Sequence, residues 1–442
     1  GDKKGFLLES YDKNYDRYTF FGKEPEEIIS SRGNALVITK NDGTQEVRNG
    51  NPLERLKEYY SEFDIVKDNE ELSFSGGLVG NLGYDFVRYA EVLPDNNPDE
   101  IGIETVQMML MTKFIMVDHV AETLTGIILG EDTPEGRKKS LEEAEELIRQ
   151  ALANKGRAPE KNFTHDGVIV NQSDSLEQYS QKVEKIKEYI REGHIFQTVL
   201  SQRWTIETKQ SGFELYKELR ELNPSPYLYY FNYGDFEVIG SSPEMIVKQQ
   251  GNRVYTCPIA GTRKRGADAE EDALLRDELL QDEKERAEHV MLVDLARNDM
   301  GRISEFGTVK VTQFMEVQNY SHVMHIVSMV EGRKKGEFHP LDLVSSFLPA
   351  GTLSGAPKIR AMEIIDELES VRRGLYGGAT GYIDFSGDMD FCITIRTMIK
   401  KGKRVYLQAG AGIVADSIPE NEYQECCNKV MALAKTLMHY IH

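Results

Sequence analysis

Two hydrophobic periods alternate along the chain and predict a mixture of strands and helices. In the first third, runs of apolar and β-branched residues at 35–39, 108–117 and 123–129 predict strands. An acidic stretch follows at 133–153, and its pattern predicts a helix. The first third of the chain therefore combines sheet and helix.

The same alternation continues beyond residue 164. One helix is predicted by four apolar residues at helical spacing: Tyr179, Val183, Ile186 and Ile190. Ser173 or Asp174 would cap its start, and Gly193 would end it. Four strands are predicted between turn residues, at 194–205, 236–240, 245–249 and 253–259. Because strands and helices do not alternate strictly, the order favours an α+β sandwich over a doubly wound parallel sheet.

The most linker-like stretch lies at 152–164, where polar residues surround Gly156 and Pro159. We therefore expect a division of the chain into an N-terminal region, 1–160, and a second region, 161–442. Neither region contains an internal repeat or a low-complexity tract, so an ordinary packed architecture is expected.

Composition restricts the possible partners and the cellular compartment. The 442 residues are 40% hydrophobic and carry a formal charge of -20, which would repel nucleic acids and acidic membrane surfaces. No apolar run approaches the roughly 20 residues that span a bilayer, and no signal peptide is visible. The four cysteines are Cys257, Cys392, Cys426 and Cys427, too few and too irregularly spaced for a disulfide framework. We expect a cytoplasmic protein whose anionic ligands meet a local positive site.

Two predicted helices each carry a pair of glutamates three residues apart: Glu285 with Glu288, and Glu422 with Glu425. Residues at this spacing share a helix face. Lys429 lies on the same face as the second pair, and Ser417 and Pro419 mark the start of that helix. Each pair is either solvated surface charge or part of a cation site. If the helices meet, four carboxylates without histidine or cysteine favour Mg²⁺.

Three glycine-rich segments, 259–262, 376–381 and 408–412, resemble turns that offer backbone N–H groups to a carboxylate. Hairpin geometry is the alternative explanation for each of them. The sequence has no phosphate-binding loop, since the segment 355–358 lacks the required glycine spacing.

Three single residues are candidates for chemistry. Arg396 lies in an apolar strand pattern with Cys392 and Thr394 on its face, and would bind either a ligand carboxylate or an internal acid. His325, in another apolar strand, is either structural or a proton carrier. Glu244 lies between two predicted strands, where partial burial would keep it protonated as a general acid.

Five ordered motifs resemble those of the chorismate-utilising enzymes, whose members make anthranilate, aminodeoxychorismate, isochorismate or salicylate. They are Gly-Gly-Leu-Val-Gly-Asn-Leu-Gly-Tyr-Asp at 76–85, Pro-Ile-Ala-Gly-Thr-Arg at 258–263, Asp-Leu-Ala-Arg-Asn-Asp at 294–299, Gly-Ala-Pro-Lys at 355–358 and Ala-Gly-Ala-Gly-Ile-Val at 409–414. The resemblance spans nearly the whole chain. It implies an intertwined α+β sandwich of two large, orthogonally packed sheets with surrounding helices.

The resemblance also implies a role for each matching residue. The metal set, for Mg²⁺, is Glu288 and Glu425 directly, with Glu285 and Glu422 through water. The residues that bind the carboxylates of chorismate are Tyr376, Arg396, Gly410, Ala411, Gly412 and Lys429. The catalytic set is Glu244 as the acid for the departing C4 hydroxyl, His325 for the loss of pyruvate, Thr262 beside the ring, and Gln197.

Two positions narrow the choice of product. Water-using members have a lysine base where this chain has Gln197, so ammonia is the expected nucleophile. Many aminodeoxychorismate synthases have a nucleophilic lysine where this chain has Ala260. The resemblance therefore implies the large subunit of an anthranilate-forming enzyme. Ammonia would come from glutamine through an amidotransferase subunit, giving a hetero-oligomer. The alternatives are an aminodeoxychorismate synthase large subunit and a catalytically silent, tryptophan-binding paralogue.

A regulatory tryptophan pocket is implied by two further segments, 7–10 and 223–229. Its expected residues are Glu9, Ser10, Asn223, Pro224, Ser225, Pro226, Tyr227, Leu228 and Cys392. Region 1–160 would contribute to this pocket and to the scaffold, and region 161–442 would bind chorismate. Family members carry a few tens of residues before the Leu-Leu-Glu-Ser segment, which begins here at Leu7, so we expect a shortened N-terminus.

Overall fold

Antiparallel strands form the framework of the protein. The computed structural model describes residues 3–10, 17–67, 72, 74–153, 164–319 and 323–438. The strands are β1 (Gly5–Glu9), β2 (Tyr18–Lys23), β3 (Glu27–Ser31), β4 (Ala35–Lys40), β5 (Gln45–Asn49), β6 (Gly77–Leu82), β7 (Val106–Met111), β8 (Lys113–Asp118), β9 (Thr123–Ile128), β10 (Val168–Gln172), β11 (Gln197–Glu207), β12 (Tyr227–Asn232), β13 (Glu237–Ser242), β14 (Met245–Gln250), β15 (Arg253–Thr256), β16 (Ile259–Lys264), β17 (Lys310–Asn319), β18 (Val323–Arg333), β19 (Gly355–Ala356), β20 (Ala379–Asp384), β21 (Met389–Ile393), β22 (Thr397–Lys401) and β23 (Arg404–Ile413).

Helices lie between groups of strands. The α-helices are α1 (Pro52–Tyr60), α2 (Pro134–Ala153), α3 (Leu176–Arg191), α4 (Gly212–Leu222), α5 (Ala269–Gln281), α6 (Glu283–Ile303), α7 (Pro340–Phe347), α8 (Lys358–Leu368) and α9 (Pro419–Ala434), and 3-10 helices span Tyr84–Tyr89 and Gly351–Leu353. No described helix is both long and apolar enough to cross a bilayer.

The strands form two large sheets within the described residues. Sheet I has 11 strands in the order β10-β11-β23-β22-β13-β12-β1-β2-β8-β9, with β19 also paired to β11. Sheet II has 12 strands in the order β16-β18-β15-β14-β21-β20-β6-β7-β3-β4-β5, with β17 also paired to β18. This arrangement confirms the predicted mixed α+β sandwich.

Both sheets take strands from either side of residue 160, so the two predicted regions are interleaved. β1 pairs with β12 in sheet I, and β6 pairs with β20 in sheet II. The predicted boundary itself, together with residues 154–163 of the predicted linker, lies outside the described residues.

Three hydrophobic layers hold the sheets and helices together. An aromatic core between the sheets joins Phe20 and Phe114 of sheet I to Tyr382 of sheet II. On the outer side of sheet I, a second core includes apolar residues of α3, α4, α8 and α9. On the outer side of sheet II, a third core includes residues of α1, α6 and α7. Burial of these apolar surfaces is the main stabilising contribution to the fold.

Several boundaries differ from the sequence prediction for local reasons. The N-cap of α3 is Ser175, not Ser173 or Asp174. The Ser175 hydroxyl accepts a hydrogen bond from the Gln178 backbone N–H, and the Gln178 side chain accepts one from the Ser175 backbone N–H. The run at 108–117 is divided by a bend at Thr112, where the chain passes from β7 in sheet II to β8 in sheet I. The run at 253–259 is interrupted before Pro258, which has no N–H for a strand ladder.

Candidate active site

One cavity of about 520 Å³ is lined by nearly all of the predicted catalytic, substrate-binding and metal-binding residues. Its walls come from both sheets and from α6 and α9. The predicted catalytic, substrate and metal residues that line it are Gln197, Glu244, Thr262, Glu285, Glu288, His325, Tyr376, Arg396, Gly410, Gly412, Glu422, Glu425 and Lys429. Ala411 is the exception, since its buried side chain packs in the core on the outer side of sheet I.

The glutamate pairs reach the cavity from opposite helix layers. α6 begins with Asp282 as its N-cap, and this register directs Glu285 and Glu288 toward the cavity. α9 presents Glu422 and Glu425. Burial raises the pKa of Glu288, and the charges of Glu285 and Glu425 raise it further. The site therefore disfavours a full set of negative charges without a cation.

Two basic side chains already offset part of this charge. Lys429 Nζ donates to Glu425 Oε1 at 2.6 Å, and Arg263 Nη1 lies 3.6 Å from Glu285 Oε1. Among the described residues, no group of three or more acidic, histidine or cysteine side chains is close enough to hold a metal ion by itself. Mg²⁺ needs fewer, since it is commonly held by one or two carboxylates together with water and substrate oxygens. The all-oxygen donor set fits that mode.

The start of α9 differs from the prediction. Ile418, not Ser417, occupies the cap position, and Pro419 follows in the first turn as expected. The Ser417 hydroxyl instead accepts from the Val414 backbone N–H, so it closes the turn that precedes the helix.

Arg396 provides positive charge that is not neutralised internally. The predicted strand at 391–397 is broken, because Arg396 has a φ of 50° where the chain passes from β21 in sheet II to β22 in sheet I. Its side chain makes no hydrogen bond or ion pair with any residue that the structure describes. Burial lowers its pKa. An unpaired guanidinium in a polar cavity is a binding site for a carboxylate.

The segment at 408–412 is a strand rather than the predicted turn. Gly410 and Gly412 lie in β23, paired with Ser201 and Val199 of β11. A Cβ on Gly410 would lie 2.8 Å from Val199 Cγ1 and 3.0 Å from the Tyr376 hydroxyl. Glycine is therefore required for close packing here. The Gly410 carbonyl also accepts from Lys429 Nζ at 2.9 Å.

Glu244 is a buried carboxyl between β13 and β14, as predicted. Its Oε1 accepts a hydrogen bond from the Thr352 hydroxyl at 3.0 Å. Burial raises its pKa from 4.5 to about 8, although Thr352 and Lys429 act in the opposite direction. Glu244 is therefore mostly protonated at neutral pH and can donate a proton.

His325 faces a β-bulge in the neighbouring strand. Gly261, at φ 67°, interrupts the register between β16 and β18. His325 Nδ1 lies 2.9 Å from the Gly261 carbonyl and 3.1 Å from the Thr262 hydroxyl. Burial lowers the pKa of His325. In a neutral ring whose Nδ1–H donates to Gly261, the basic lone pair lies on Nε2.

Gln197 begins β11 and is almost fully buried at the cavity wall. Its Oε1 makes no hydrogen bond with any described residue. A Cβ on Gly412 would lie 3.1 Å from Gln197 Nε2, so the amide packs against the glycine strand. A buried oxygen without a hydrogen bond carries a free-energy cost.

The residues that support the site could not be identified from the sequence. Thr352, which bonds Glu244, lies in a short 3-10 helix without any sequence signal of its own. Arg373 forms a buried ion pair with Glu369 at 2.6 Å and donates to the Leu353 and Val199 carbonyls of the cavity wall. Its guanidinium also lies 5.7 Å from the centre of the Tyr376 ring. Only the fold brings these segments together.

A second cavity, of about 240 Å³, contains most of the predicted tryptophan residues. Of that set, Glu9, Ser10, Pro226, Tyr227, Leu228 and Cys392 line it, whereas Asn223, Pro224 and Ser225 do not. The Asn223 side chain instead donates a hydrogen bond to the Ala432 carbonyl of α9, and the Ser225 hydroxyl donates one to the Ser242 carbonyl.

At the polar end of this second cavity, the Glu9 carboxylate already has protein partners. Glu9 accepts from the Tyr216 hydroxyl and from Arg220 Nε at 2.9 Å. The Ser10 hydroxyl is buried without a hydrogen bond among the described residues. Residues 11–16, which follow Ser10, lie outside the described part of the chain.

Comparison with known proteins agrees with this geometry. Residues 6–435 match the model of the chorismate binding enzyme family. Anthranilate synthase component 1 of Acetivibrio thermocellus is 46% identical, over 98% of this chain and 90% of that protein. The crystal structure of anthranilate synthase component I from Streptococcus pneumoniae superimposes with a TM-score of 0.85 at 38% identity, covering 95% of this chain and 92% of that one. The menaquinone-specific isochorismate synthase of Escherichia coli, at 18% identity and a TM-score of 0.72, shares the fold. The family prediction is confirmed, and the chain belongs to the chorismate binding enzymes.

Proposed function

We propose that this chain is the chorismate-using component of an anthranilate synthase, which converts chorismate and ammonia to anthranilate, pyruvate and water. The observation that carries the proposal is that one cavity is lined both by a protonated Glu244 and by Arg396, which has no acidic partner among the described residues. Relatives with the anthranilate synthase name match nearly the whole chain and support the choice of product.

Substrate binding would rely on the cations of the cavity. Arg396 and Lys429 provide positive charge, and the tight packing of Gly410 against Tyr376 leaves the phenol at the cavity wall. Lys284 also lines the cavity, so three cationic side chains are present for the two carboxylates of chorismate. The Glu285, Glu288, Glu422 and Glu425 set fits Mg²⁺, which when bound would attract one substrate carboxylate and offset the acidic charge.

Glu244 would act first, as the general acid. It is buried, keeps its proton at neutral pH and is held by Thr352. Proton donation to the C4 hydroxyl allows that group to leave as water while ammonia adds at C2. Positioned general acids contribute about 10² to 10⁴ in rate.

Gln197 and Ala260 would favour ammonia. Neither side chain can remove a proton from water or form an amine adduct with the substrate, and both line the cavity.

His325 would act in the second step, the loss of pyruvate. Its lowered pKa keeps the ring neutral, and Gly261 and Thr262 fix the ring through Nδ1. The neutral imidazole can remove a proton from the ring of the amino intermediate as pyruvate departs, which gives the aromatic product.

We also propose that an amidotransferase subunit supplies the ammonia from glutamine, and that tryptophan binds the second cavity as an inhibitor. The apolar walls of that cavity and its buried Ser10 hydroxyl support an amino acid with a large side chain.

The test is an assay with chorismate, ammonium and Mg²⁺, in which anthranilate is read by fluorescence and pyruvate by a coupled enzyme. Equal amounts of anthranilate and pyruvate are expected, and a chelator should stop both. A non-aromatic amino product without pyruvate would indicate an aminodeoxychorismate synthase. Isochorismate formed without ammonia would contradict the role of Gln197, and no turnover would indicate a silent paralogue.

A further inference from the structure

Two residues from the sequence motifs have no part in the substrate cavity but meet behind it. Asp299 ends the motif at 294–299, and Lys358 ends the motif at 355–358. Lys358 Nζ donates to Asp299 Oδ2 at 2.8 Å, with the two side chains 13% and 9% exposed. This pair joins the C-terminal half of α6 to the start of α8. An ion pair at this depth is rarely a net source of stability.

A small cavity of about 40 Å³ separates this pair from Glu244. Its polar lining groups are Glu244, Thr256, Asp299 and Thr352, and the remaining walls are apolar. A water molecule needs roughly 10–15 Å³ of such space and two to four polar partners. The cavity, which we call the rear cavity, therefore has both the room and the partners for water.

Glu244 and Thr352 line both the rear cavity and the substrate cavity. The carboxyl of Glu244 thus stands between the reacting molecule and the Asp299–Lys358 pair. The proposed acid step leaves Glu244 as a carboxylate once in every turnover. A proton must return before the next turnover. While a molecule occupies the substrate cavity, that cavity cannot serve as the route for this proton.

We propose that the Asp299–Lys358 pair returns this proton to Glu244 through water in the rear cavity. The inference rests on the proposed role of Glu244 as the acid. Glu244 carboxylate takes a proton from water, that water takes one from the pair, and the pair recovers one from solvent at the partly exposed Lys358. One proton enters from solvent for each one given to the leaving hydroxyl. Burial raises the pKa of Asp299 as well as that of Glu244, which favours a proton shared along this line.

The experiment compares the first turnover with later ones, by stopped-flow fluorescence of anthranilate in the intact chain at neutral pH. Glu244 starts protonated, so Asp299→Asn should complete its first turnover at the wild-type rate. Later turnovers should be slower by about 100-fold or more, within the range that a positioned proton donor contributes. The trace would show a burst of one anthranilate per active site, followed by the slower phase.

A second variant covers the case in which Asp299→Asn fails to fold. Ala296→Leu adds bulk to the wall of the rear cavity without changing any charge, and should give the same burst. Asp294→Asn, an exposed aspartate of the same helix, is the matched control and should behave as wild type.

The outcomes separate the relay from the acid. Unchanged ratios of first to later turnovers in both variants would mean that Glu244 is reloaded through the substrate cavity, which overturns the relay. A slowed first turnover would mean that Asp299 only positions Glu244, which also overturns it. Retention of the first turnover by Glu244→Gln would overturn the proposed acid itself.

Discussion

Glu244→Gln should abolish anthranilate formation and yet make the protein more stable at neutral pH. The carboxyl is buried, and its pKa is raised from 4.5 to about 8 because burial disfavours the charged form. The unfolded chain ionises freely above pH 4.5, whereas the folded protein keeps the proton until about pH 8. A glutamine has the same shape, accepts the Thr352 hydrogen bond and carries no such penalty.

The sign and size of the effect follow from linkage. The wild type and the variant should be equally stable below pH 4.5, where the carboxyl is protonated in both states. Between pH 4.5 and 8 the wild type loses stability relative to the variant by about 1.4 kcal/mol per pH unit. At pH 8 and above, the difference should level off at about 4 to 5 kcal/mol. The charged neighbour that opposes the shift is Lys429, and the thiol of Cys257 lies nearby.

The assay is the urea-dependent free energy of unfolding of both proteins, measured at pH 5, 6, 7 and 8. Glu283→Gln, an exposed acid of α6, is the control and should show no such trend. Activity is followed in parallel at a fixed concentration of free ammonia, so that ammonia protonation does not shape the profile. Wild-type kcat should fall as the pH rises through about 8. A stability difference that does not change with pH would refute the argument, because Glu244 would then be ionised in the folded protein.

Three further predictions follow from the two cavities. Glu288→Gln should lower kcat/KM by about 100-fold or more and weaken the response to added Mg²⁺, while Glu283→Gln should not; equal activity of the two variants would contradict the metal role. Gly410→Ala should raise KM for chorismate about 10-fold or more, because the added Cβ would crowd the Tyr376 hydroxyl; unchanged KM would show that the strand can shift. Ser10→Phe should relieve tryptophan inhibition without lowering uninhibited turnover; identical tryptophan titrations would remove Ser10 from the pocket.

The sequence predicted the site residues more accurately than the path of the backbone between them. Motifs report side-chain identity, and all of the predicted catalytic, substrate and metal residues except Ala411 line one cavity. Local patterns failed where a long-range contact decides the conformation. The glycines at 410 and 412 looked like a turn but lie in a central strand, where β11 and Tyr376 leave no room for a Cβ. Arg396 looked like a strand residue but lies where the chain changes sheets.

Supporting groups could not be predicted for a related reason. Thr352 and Arg373 act on residues more than a hundred positions away in sequence, Glu244 and Val199 respectively. Asp299 and Lys358 each stand in a recognisable motif, but their pairing depends on how α6 meets α8. Sequence patterns of periods 2 and 3.6 carry information about one element at a time. Contacts between elements can be predicted only when the order of the strands in the two sheets is known.

The distribution of charge explains how a chain of net charge -20 can hold a substrate with two carboxylates. Most basic side chains near the cavity are already engaged, as Arg263 is with Glu278 and Asp282. Arg396 is held without an acidic partner among the described residues, where burial makes its charge costly until an anion arrives. The buried acid Glu244 lies on the same cavity, uncharged at neutral pH, and so does not compete for that guanidinium.

Because ionisation of Glu244 would add a buried negative charge to the cavity that holds this anion, high pH should weaken chorismate binding as well as proton donation. The dissociation constant of chorismate should therefore rise through about pH 8 in the wild type and stay constant in Glu244→Gln. A parallel rise in both proteins would assign the effect to another group.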